Sequence, residues 1–398
     1  MHESADVIAL RAAPDGVEVR HLRAFVAVAE ELNFSRAAER LYLSQPALSR
    51  QIRSLERAVG CELLRRSTHR VELTLAGHAL LDRARAVLAA LDEAIAAAQS
   101  VGGELSARIM RLWAPVLAVA TSQTSIEAIR DVFEDFLATM PMPPEIAIRP
   151  VTAGGVPALM LGDQPAILYL HGGGNVLGSA YGYRPLVGAL VAAAAAGALV
   201  PDFRLAPEHP FPAAIDDALA AYRWLAARCG DPGTVMLAAD SSGAGLALAV
   251  LLTLREAGER MPAGAALLCP SIDPSGALLT PRGGPQLMDE IGDKAAAYLG
   301  GHPLDDPLVS PLRADLSGLP PLLIQCATGD AMRPQGEALA ERAREHGVDT
   351  RLELYPSDAH VFHVFWSFLP EAADALAQTG RFARDLLSSD HATAIRSE

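Results

Sequence analysis

The sequence predicts an α/β fold, in which helices wrap a mostly parallel β-sheet, preceded by an all-α module and a long helix. From about residue 145 onward, short apolar runs alternate with helical patterns, which is typical of such sheets. Charge is unevenly spread. The 398 residues carry a net charge of −14, yet residues 20–70 contain ten arginines and five glutamates. A basic module therefore precedes an acidic remainder, and nucleic acid is a candidate partner for that module alone.

Composition limits the compartment and the cofactors. A chain of 398 residues, 51% of them hydrophobic, can form two domains with sizeable cores. Residues 1–15 contain no continuous apolar segment, and the longest apolar run, 186–200, is shorter than the roughly 20 residues that span a bilayer. We therefore expect a cytoplasmic protein without a membrane partner, a metal or another cofactor. The cysteines form no C-x-x-C pair, as in a reducing compartment: Cys61, Cys229, Cys269 and Cys326.

The basic module is predicted to contain three short helices and a hairpin. Ser35 is placed to cap the second helix, and Ser44 to cap the third, which Gly60 ends. Residues 64–74 alternate like a small β-hairpin. The third helix is predicted to bury Leu48, Ile52, Leu55 and Val59. Its opposite, solvent-facing side carries Gln45, Ser49, Arg50 and Arg53.

A long helix is predicted after Thr74. Its apolar residues recur at spacings of three and four, which favours a heptad seam that pairs with a second copy in a homodimer or higher oligomer. The alternative is a helix packed on its own domain. The sequence 101–103, with two glycines, is the candidate end of the helix and linker. The seam residues are Leu81, Ala84, Leu88, Leu91, Ile95 and Ala98.

The second half of the chain contains eight candidate strands, with helical patterns between most of them. The apolar run 186–200 is interpreted as a buried helix entering a strand. The candidate strands are 146–150, 156–161, 166–170, 198–202, 235–238, 265–269, 322–326 and 351–355.

A nucleophile turn is predicted between the fifth candidate strand and the next helix. Ser241 lies in Ala239-Asp240-Ser241-Ser242-Gly243, where small residues two before and two after the serine allow a cramped strand-to-helix turn. Alanine at 239, where glycine is usual, is a mild departure. The run His171 to Gly174 follows the third candidate strand, so that backbone N–H groups could face the site and hold an oxyanion together with the Ser242 N–H.

A base and an acid follow in the chain order that such a sheet requires. His360 comes just after the last candidate strand and is the predicted base, with His363 as its rival. Asp330 follows the strand 322–326 at its carboxyl end, where α/β sites gather, and is the predicted acid. The alternative acids are Asp358, Asp305 and Asp273. The catalytic set is therefore Ser241, His360 and Asp330, acting through an acyl-enzyme on a small ester.

These motifs resemble the hormone-sensitive-lipase-like branch of the α/β-hydrolase superfamily, the bacterial esterases, over roughly residues 124–387. The resemblance also includes the segments 202–208 and 306–312, and it implies that Gly173, Gly174 and Ser242 donate to the oxyanion. It implies no catalytic role for Arg204 or Glu208. Phe203 replaces the family's usual tyrosine. The amphipathic helix at 125–137 is similar to the family's N-terminal cap, which shapes the acyl pocket.

Residues 20–100 resemble the winged helix-turn-helix and linker helix of LysR-type regulators, most specifically in the segments 34–38 and 44–50. The resemblance implies that the third helix enters the major groove of double-stranded DNA, with Gln45, Ser49, Arg50 and Arg53 on the reading face. The effector domain of such regulators is replaced by the hydrolase.

Three functions stay open from the sequence: an esterase fused to a DNA-binding module, a regulator whose hydrolase fold senses a ligand, and an esterase with a relic helical module. An intact catalytic set argues against the second and the arginines argue against the third. The predicted segments are a disordered lead-in at 1–17, a winged helix-turn-helix at 18–78, a linker or dimerisation helix at 79–104, a linker and cap at 105–145, the α/β-hydrolase domain at 146–388 and a tail at 389–398.

Overall fold

A computed structural model of the protein describes residues 16–66, 71–119, 124–280 and 284–388, without the side chains of 66, 92–102 and 284–291. The chain divides into two compact units, residues 1–104 and 105–398. The division falls between the predicted linker helix and the predicted cap segment. The tail at 389–398 and all but the last two residues of the lead-in lie outside the described residues.

The first unit is a three-helix module with a two-stranded hairpin, as predicted. Its core is built from all three helices and includes the fully buried Phe25, Leu48 and Ile52. Its elements are α1 (Val19–Glu31), α2 (Phe34–Arg40), α3 (Gln45–Val59), β1 (Leu64–Arg66) and β2 (Val71–Leu73).

Helix ends in this unit follow the capping rules, with two corrections to the predictions. Ser44 caps α3, and Gly60 ends it with a φ of 79°. Helix α2 is capped by Asn33 rather than Ser35, because the Asn33 carboxamide accepts from the backbone N–H groups of Ser35 and Arg36. Val59 is 42% exposed rather than buried, since it occupies the last turn of α3.

Helix α4 (Leu75–Val119) is continuous through residues 101–103, so the prediction that the helix ends there is wrong. Glycine costs a helix interior only about 1 kcal/mol per residue, which the helix can tolerate. The seam prediction is also wrong at its first two positions. Leu81 and Ala84 are buried in the core of the first unit, whereas Leu88 and Leu91 are half-exposed. Apolar residues at spacings of three and four fit a helix that packs on its own domain as well as a helix that pairs with a second copy, so the pattern alone does not distinguish the two.

The second unit is built around an eight-stranded sheet, which confirms the α/β fold. The strand order is β10-β9-β8-β7-β5-β6-β4-β3, and β3, β4 and β6 pair antiparallel whereas the other neighbours are parallel. All eight strands were predicted, although the first begins two residues later. They are β3 (Ile148–Ala153), β4 (Val156–Leu161), β5 (Pro165–Leu170), β6 (Gly197–Pro201), β7 (Met236–Asp240), β8 (Gly264–Leu268), β9 (Leu322–Ala327) and β10 (Thr350–Tyr355).

Helices cover both faces of this sheet. Alternate residues of β5 enter two separate cores: Ile167 and Tyr169 pack with α5, α6 and α11, whereas Leu168 and Leu170 pack with α7, α8 and α10. The helices are α5 (Ile126–Ala138), α6 (Arg184–Ala194), α7 (Ala213–Cys229), α8 (Ser242–Glu256), α9 (Gly284–Leu299), α10 (Arg333–Glu345) and α11 (Pro370–Leu387).

The apolar run at 186–200 forms the buried helix α6 followed by β6, as predicted. Within the described ranges, no helix is both long and apolar enough to cross a bilayer.

Candidate active site

Ser241 lies on a strained turn between β7 and α8. Its φ of 49° is in the left-handed region that non-glycine residues rarely adopt. Gly243 permits this turn, because a Cβ at that position would lie 2.2 Å from the carbonyl oxygen of Leu170. Ala239 is accommodated as a fully buried residue of β7. The turn forms with alanine at 239, so this departure from the usual glycine does not prevent it.

The structure brings Ser241, His360 and Asp330 together at the carboxyl ends of the parallel strands. His360 Nε2 is 2.8 Å from Ser241 Oγ, and His360 Nδ1 is 2.8 Å from Asp330 Oδ2. The Asp330 side chain is only 1% exposed, whereas that of His360 is 33% exposed. The acid is therefore shielded from water while the imidazole can reach a substrate.

The charge of each partner favours the ionised form of the other. Burial alone would lower the pKa of His360, but the charge and hydrogen bond of Asp330 outweigh burial, so the pKa is raised above its ordinary value. Burial would likewise raise the pKa of Asp330, yet the charge of His360 and hydrogen bonds from His360 and the Met332 N–H keep it lowered. The pair thus favours an aspartate beside an imidazole that readily accepts a proton.

The alternative base and the alternative acids that the sequence offers have other surroundings. His363 is completely buried, its Nε2 is 3.0 Å from Gln325 Oε1, and burial lowers its pKa to about 3. Asp358 lies against the backbone of Gly329, Asp273 accepts from the Ser275 N–H, and Asp305 is exposed. Of the four candidate acids, Asp330 is the one whose carboxylate lies 2.8 Å from His360 Nδ1.

Cys269 lies near this pair, and the ligand atoms of Cys269, Asp330 and His360 are within 4.8 Å of one another. Burial raises the pKa of the Cys269 thiol well above its ordinary value, which keeps it protonated. Asp330 and His360 already bond directly to each other, and the second Asp330 oxygen accepts from the Met332 N–H. The cluster therefore fits an acid–base pair rather than a metal centre.

The glycine run after β5 forms a loop beside the nucleophile turn. Gly173 and Gly174 have φ values of 113° and 69°, and a Cβ at Gly173 would lie 2.3 Å from the Leu177 carbonyl oxygen. Ser242 begins α8, and its hydroxyl accepts from the Asn175 N–H. The backbone N–H groups of Gly173, Gly174 and Ser242 donate no hydrogen bond to any residue that the structure describes.

His171 anchors the start of this loop. Its ring stacks on Phe203 with centroids 4.3 Å apart and on Tyr183 at 5.1 Å. Burial lowers the pKa of His171 to about 4, so the ring is neutral at pH 7. Phe203 therefore supplies an aromatic face where the esterases that this segment resembles usually carry tyrosine.

Helix α5 is fastened to the loops around the site by Arg130, which sequence reasoning missed. The Arg130 guanidinium donates to both carboxylate oxygens of Glu208 and to the carbonyl oxygens of Val176 and Ala206. On the same helix, Phe136 stacks on Trp113 at 4.3 Å and meets Phe365 edge-on at 6.2 Å. The aromatic contacts of α5 and its firmly bonded arginine fit the cap helix that the sequence predicts.

Two further residues at the site were not singled out from the sequence. Asp240, directly before the nucleophile, is completely buried and hydrogen-bonded to the glycine loop. Lys294 on α9 packs its methylene groups over Gly174 and acts electrostatically on His360. It is the single lysine of the sequence, and this rarity was the available signal.

In the first unit, the predicted DNA-reading residues lie on one helix. Gln45, Arg50 and Arg53 of α3 are exposed, and Ser49 is half-buried. Arg50 and Arg53 make no side-chain hydrogen bond or ion pair with any described residue. They line an open groove together with Arg57.

Comparisons with known proteins agree with both units. A family model described as the alpha/beta hydrolase fold matches residues 167–364, and one described as the bacterial regulatory helix-turn-helix of the lysR family matches residues 19–78. An acetyl-hydrolase from Streptomyces hygroscopicus is 42% identical over 227 residues, covering 56% of this chain and 76% of that protein. Carboxylesterase NlhH from Mycobacterium tuberculosis is 33% identical, covering 59% of this chain and 77% of that protein.

Solved structures point the same way. An esterase from the bacterial hormone-sensitive lipase family is 37% identical, covers 70% of this chain and 97% of its own, and superimposes with a TM-score of 0.65. The second unit is therefore an α/β hydrolase. The chain belongs to the hormone-sensitive-lipase-like family of these esterases, and it carries a LysR-type helix-turn-helix at its N-terminal end.

Proposed function

We propose that the second unit is a serine carboxylesterase that hydrolyses small acyl esters through an acyl-enzyme. The observation that carries the proposal is the continuous hydrogen-bonded relay from Ser241 Oγ through His360 to Asp330. The esterases to which the chain is similar support the ester substrate.

In this mechanism His360 Nε2 accepts the proton of Ser241 as Oγ attacks the ester carbonyl carbon. Asp330 stabilises the imidazolium, whose proton then passes to the leaving alkoxide to release the alcohol. A water molecule, deprotonated by His360, attacks the acyl-enzyme, and the imidazolium returns that proton to Ser241 Oγ as the bond from Oγ to the acyl carbon breaks and the carboxylic acid leaves. The N–H groups of Gly173, Gly174 and Ser242 donate to the oxyanion in both steps.

The test is turnover of a short-chain aryl ester by the wild type and by Ser241→Ala. The variant is expected to lose roughly four to six orders of magnitude in kcat while its fold stays intact, because a methyl group fits where the hydroxymethyl was. A serine-reactive phosphonate should label the wild type at Ser241 and leave the variant unlabelled. Activity within about tenfold of wild type would show that the nucleophile is another residue.

We further propose that the first unit binds double-stranded DNA sequence-specifically as a homodimer. The supporting observation is the exposed face of α3, where Arg50 and Arg53 are unengaged by any described residue. Leu88 and Leu91 are the described seam residues that remain half-exposed for a second copy. Binding of the full chain to genomic fragments should weaken steeply with salt, because arginines displace condensed counterions.

Two other functions give different results in the same experiments. A ligand sensor would bind the ester without turning it over, so multiple turnovers by the wild type exclude it. An esterase with a relic module would bind no genomic fragment even at low salt. The relay between Ser241 and Asp330 argues against the sensor, since a binding site needs no base behind a nucleophile.

A further inference from the structure

Asp240 is a completely buried carboxylate next to the proposed nucleophile, and the mechanism above does not use it. It ends β7, and its side chain points toward β5 and the glycine loop. Burying a carboxylate is costly unless hydrogen bonds compensate it. Asp240 is therefore expected to contribute hydrogen bonds or a charge that a small apolar residue could not supply.

Three donors surround this carboxylate. Asp240 Oδ1 accepts from the Tyr169 hydroxyl at 2.8 Å and from the Gly172 N–H at 3.0 Å. Asp240 Oδ2 accepts from the Tyr183 hydroxyl at 3.2 Å. Burial outweighs these bonds and raises the pKa of Asp240 to about 6, so the group is mostly ionised at pH 7.

The bond to Gly172 connects the two halves of the oxyanion-binding region. Gly172 directly precedes Gly173 and Gly174, and Asp240 directly precedes Ser241 and Ser242. The approach is close: a Cβ at Gly172 would lie 2.3 Å from Asp240 Oδ2 and 2.9 Å from Ser241 Cβ. One hydrogen bond thus fixes the distance between the loop donors and the donor on α8.

The same carboxylate lies close enough to His360 for its charge to act on the imidazole. Asp240 and Asp330 both raise the pKa of His360, whereas burial and the charge of Lys294 lower it. His363 and Cys269 also lie in this region, and both are neutral because burial lowers the pKa of the first and raises that of the second. Among the described residues, the ionised groups with the largest effect on His360 are therefore two carboxylates and one ammonium.

We infer that Asp240 is a positioning residue, which tethers the glycine loop to the nucleophile turn and whose negative charge favours the protonated form of His360. This inference rests on the proposed esterase function. The proton that His360 takes from Ser241 is then held by two carboxylates: one bonded to the ring and one acting through space.

The test uses Asp240→Asn, which keeps the shape of the side chain and removes its charge. The amide oxygen can still accept from Gly172 and Tyr169, and the Tyr183 hydroxyl can accept from the amide NH₂. For a neutral aryl ester, kcat is expected to fall about tenfold with KM changed less than about threefold. The acid-side midpoint of kcat/KM should move about half a pH unit lower, because His360 loses a neighbouring negative charge.

Lys294→Met is the matched variant of opposite sign. It keeps the methylene groups over Gly174 and removes a positive charge, so its acid-side midpoint should move to higher pH. Asp240→Ala also removes the acceptor of the Gly172 N–H. It should lose at least a further tenfold in kcat and should bind a boronic acid, which mimics the tetrahedral intermediate, more weakly than Asp240→Asn does.

The outcomes separate the inference from the function. If the wild type turns over esters and Asp240→Asn keeps kcat within twofold with an unmoved midpoint, Asp240 has only a structural role and the inference is wrong. If the wild type turns over no ester, the proposed function itself fails. If Asp240→Asn does not fold, Tyr169→Phe is the alternative variant, because it removes the hydroxyl that donates to Asp240 and so raises the pKa of Asp240 further. As the pH is lowered, kcat should then begin to fall at a higher pH than in the wild type. An unchanged dependence of kcat on pH would overturn the inference.

Discussion

The two units of this chain hold their functional residues in opposite ways. In the second unit, Ser241, His360 and Asp330 form a hydrogen-bonded chain, and Gly243 lets the nucleophile turn approach the backbone of Leu170 and His171 closely. In the first unit, Arg50 and Arg53 extend into solvent from a helix whose other face is buried. A catalytic site must be preorganised before substrate arrives, whereas a DNA-reading face gains its partners only on binding. Single substitutions should therefore have far larger effects in the second unit.

The largest effect is expected at the base. His360→Ala should lose roughly four orders of magnitude in kcat, since His360 is the base that lies within hydrogen-bond distance of Ser241 Oγ. Asp330→Asn should keep more activity because the acid only orients and stabilises the base. His363→Gln is the control: His363 bonds to Gln325 and should affect stability more than turnover. Greater damage to turnover from the His363 change than from the His360 change would assign the base to His363.

Gly243→Ala should have the next largest effect on turnover, although it removes no reactive group. The new methyl would meet the backbone oxygens of Leu170 and His171 at 2.2 and 2.6 Å, and backbone cannot move aside as a side chain can. We expect a loss of about 1 to 3 kcal/mol in the free energy of unfolding and a loss of at least about a hundredfold in kcat/KM. Gly258→Ala is the matched change, since nothing lies within 4 Å of a Cβ there. Because the φ of Gly258 is 66°, a conformation that alanine adopts less readily, Gly258→Ala should cause a small loss of stability, measured by thermal unfolding. Equal kcat/KM for the two variants would contradict the steric argument.

In the first unit, Arg50→Ala should weaken binding to the preferred DNA sequence by about 1 to 3 kcal/mol if the guanidinium reads a base edge. The preference at one base position should relax, and esterase turnover should stay at the wild-type level. Anisotropy titrations on specific and scrambled duplexes measure both effects. Equal weakening on every duplex would make Arg50 a phosphate contact.

The smallest effect concerns pH. His360 must be neutral to accept a proton, and its pKa lies above the ordinary value of 6.5. The kcat/KM for a neutral ester should therefore fall as pH decreases through a midpoint above 6.5. Asp330→Asn should lower that midpoint, because the aspartate charge is what raises it. A wild-type midpoint below the ordinary histidine value would contradict the interaction that the geometry implies.

Much of this arrangement could be predicted because its signals are local. The small residues around Ser241, the glycines after β5 and the order of Ser241, Asp330 and His360 along the chain follow from the constraints of one strand or turn. The prediction for α4 failed because a glycine pair weakens a helix by less than packing along its length can supply. Arg130 and Asp240 escaped notice because their partners, Glu208 and Gly172, are distant in sequence.

The single lysine has a practical consequence for work with this protein. Apart from the α-amino group, Lys294 is the one primary amine in the chain, and its stem covers Gly174. Amine-reactive dyes and immobilisation resins would therefore attach beside the ester-binding region and obstruct it. Surface attachment for turnover assays is better directed at the exposed thiol of Cys61, which lies in the other unit. DNA-binding assays need another attachment site, because Cys61 lines the same groove as Arg50 and Arg53.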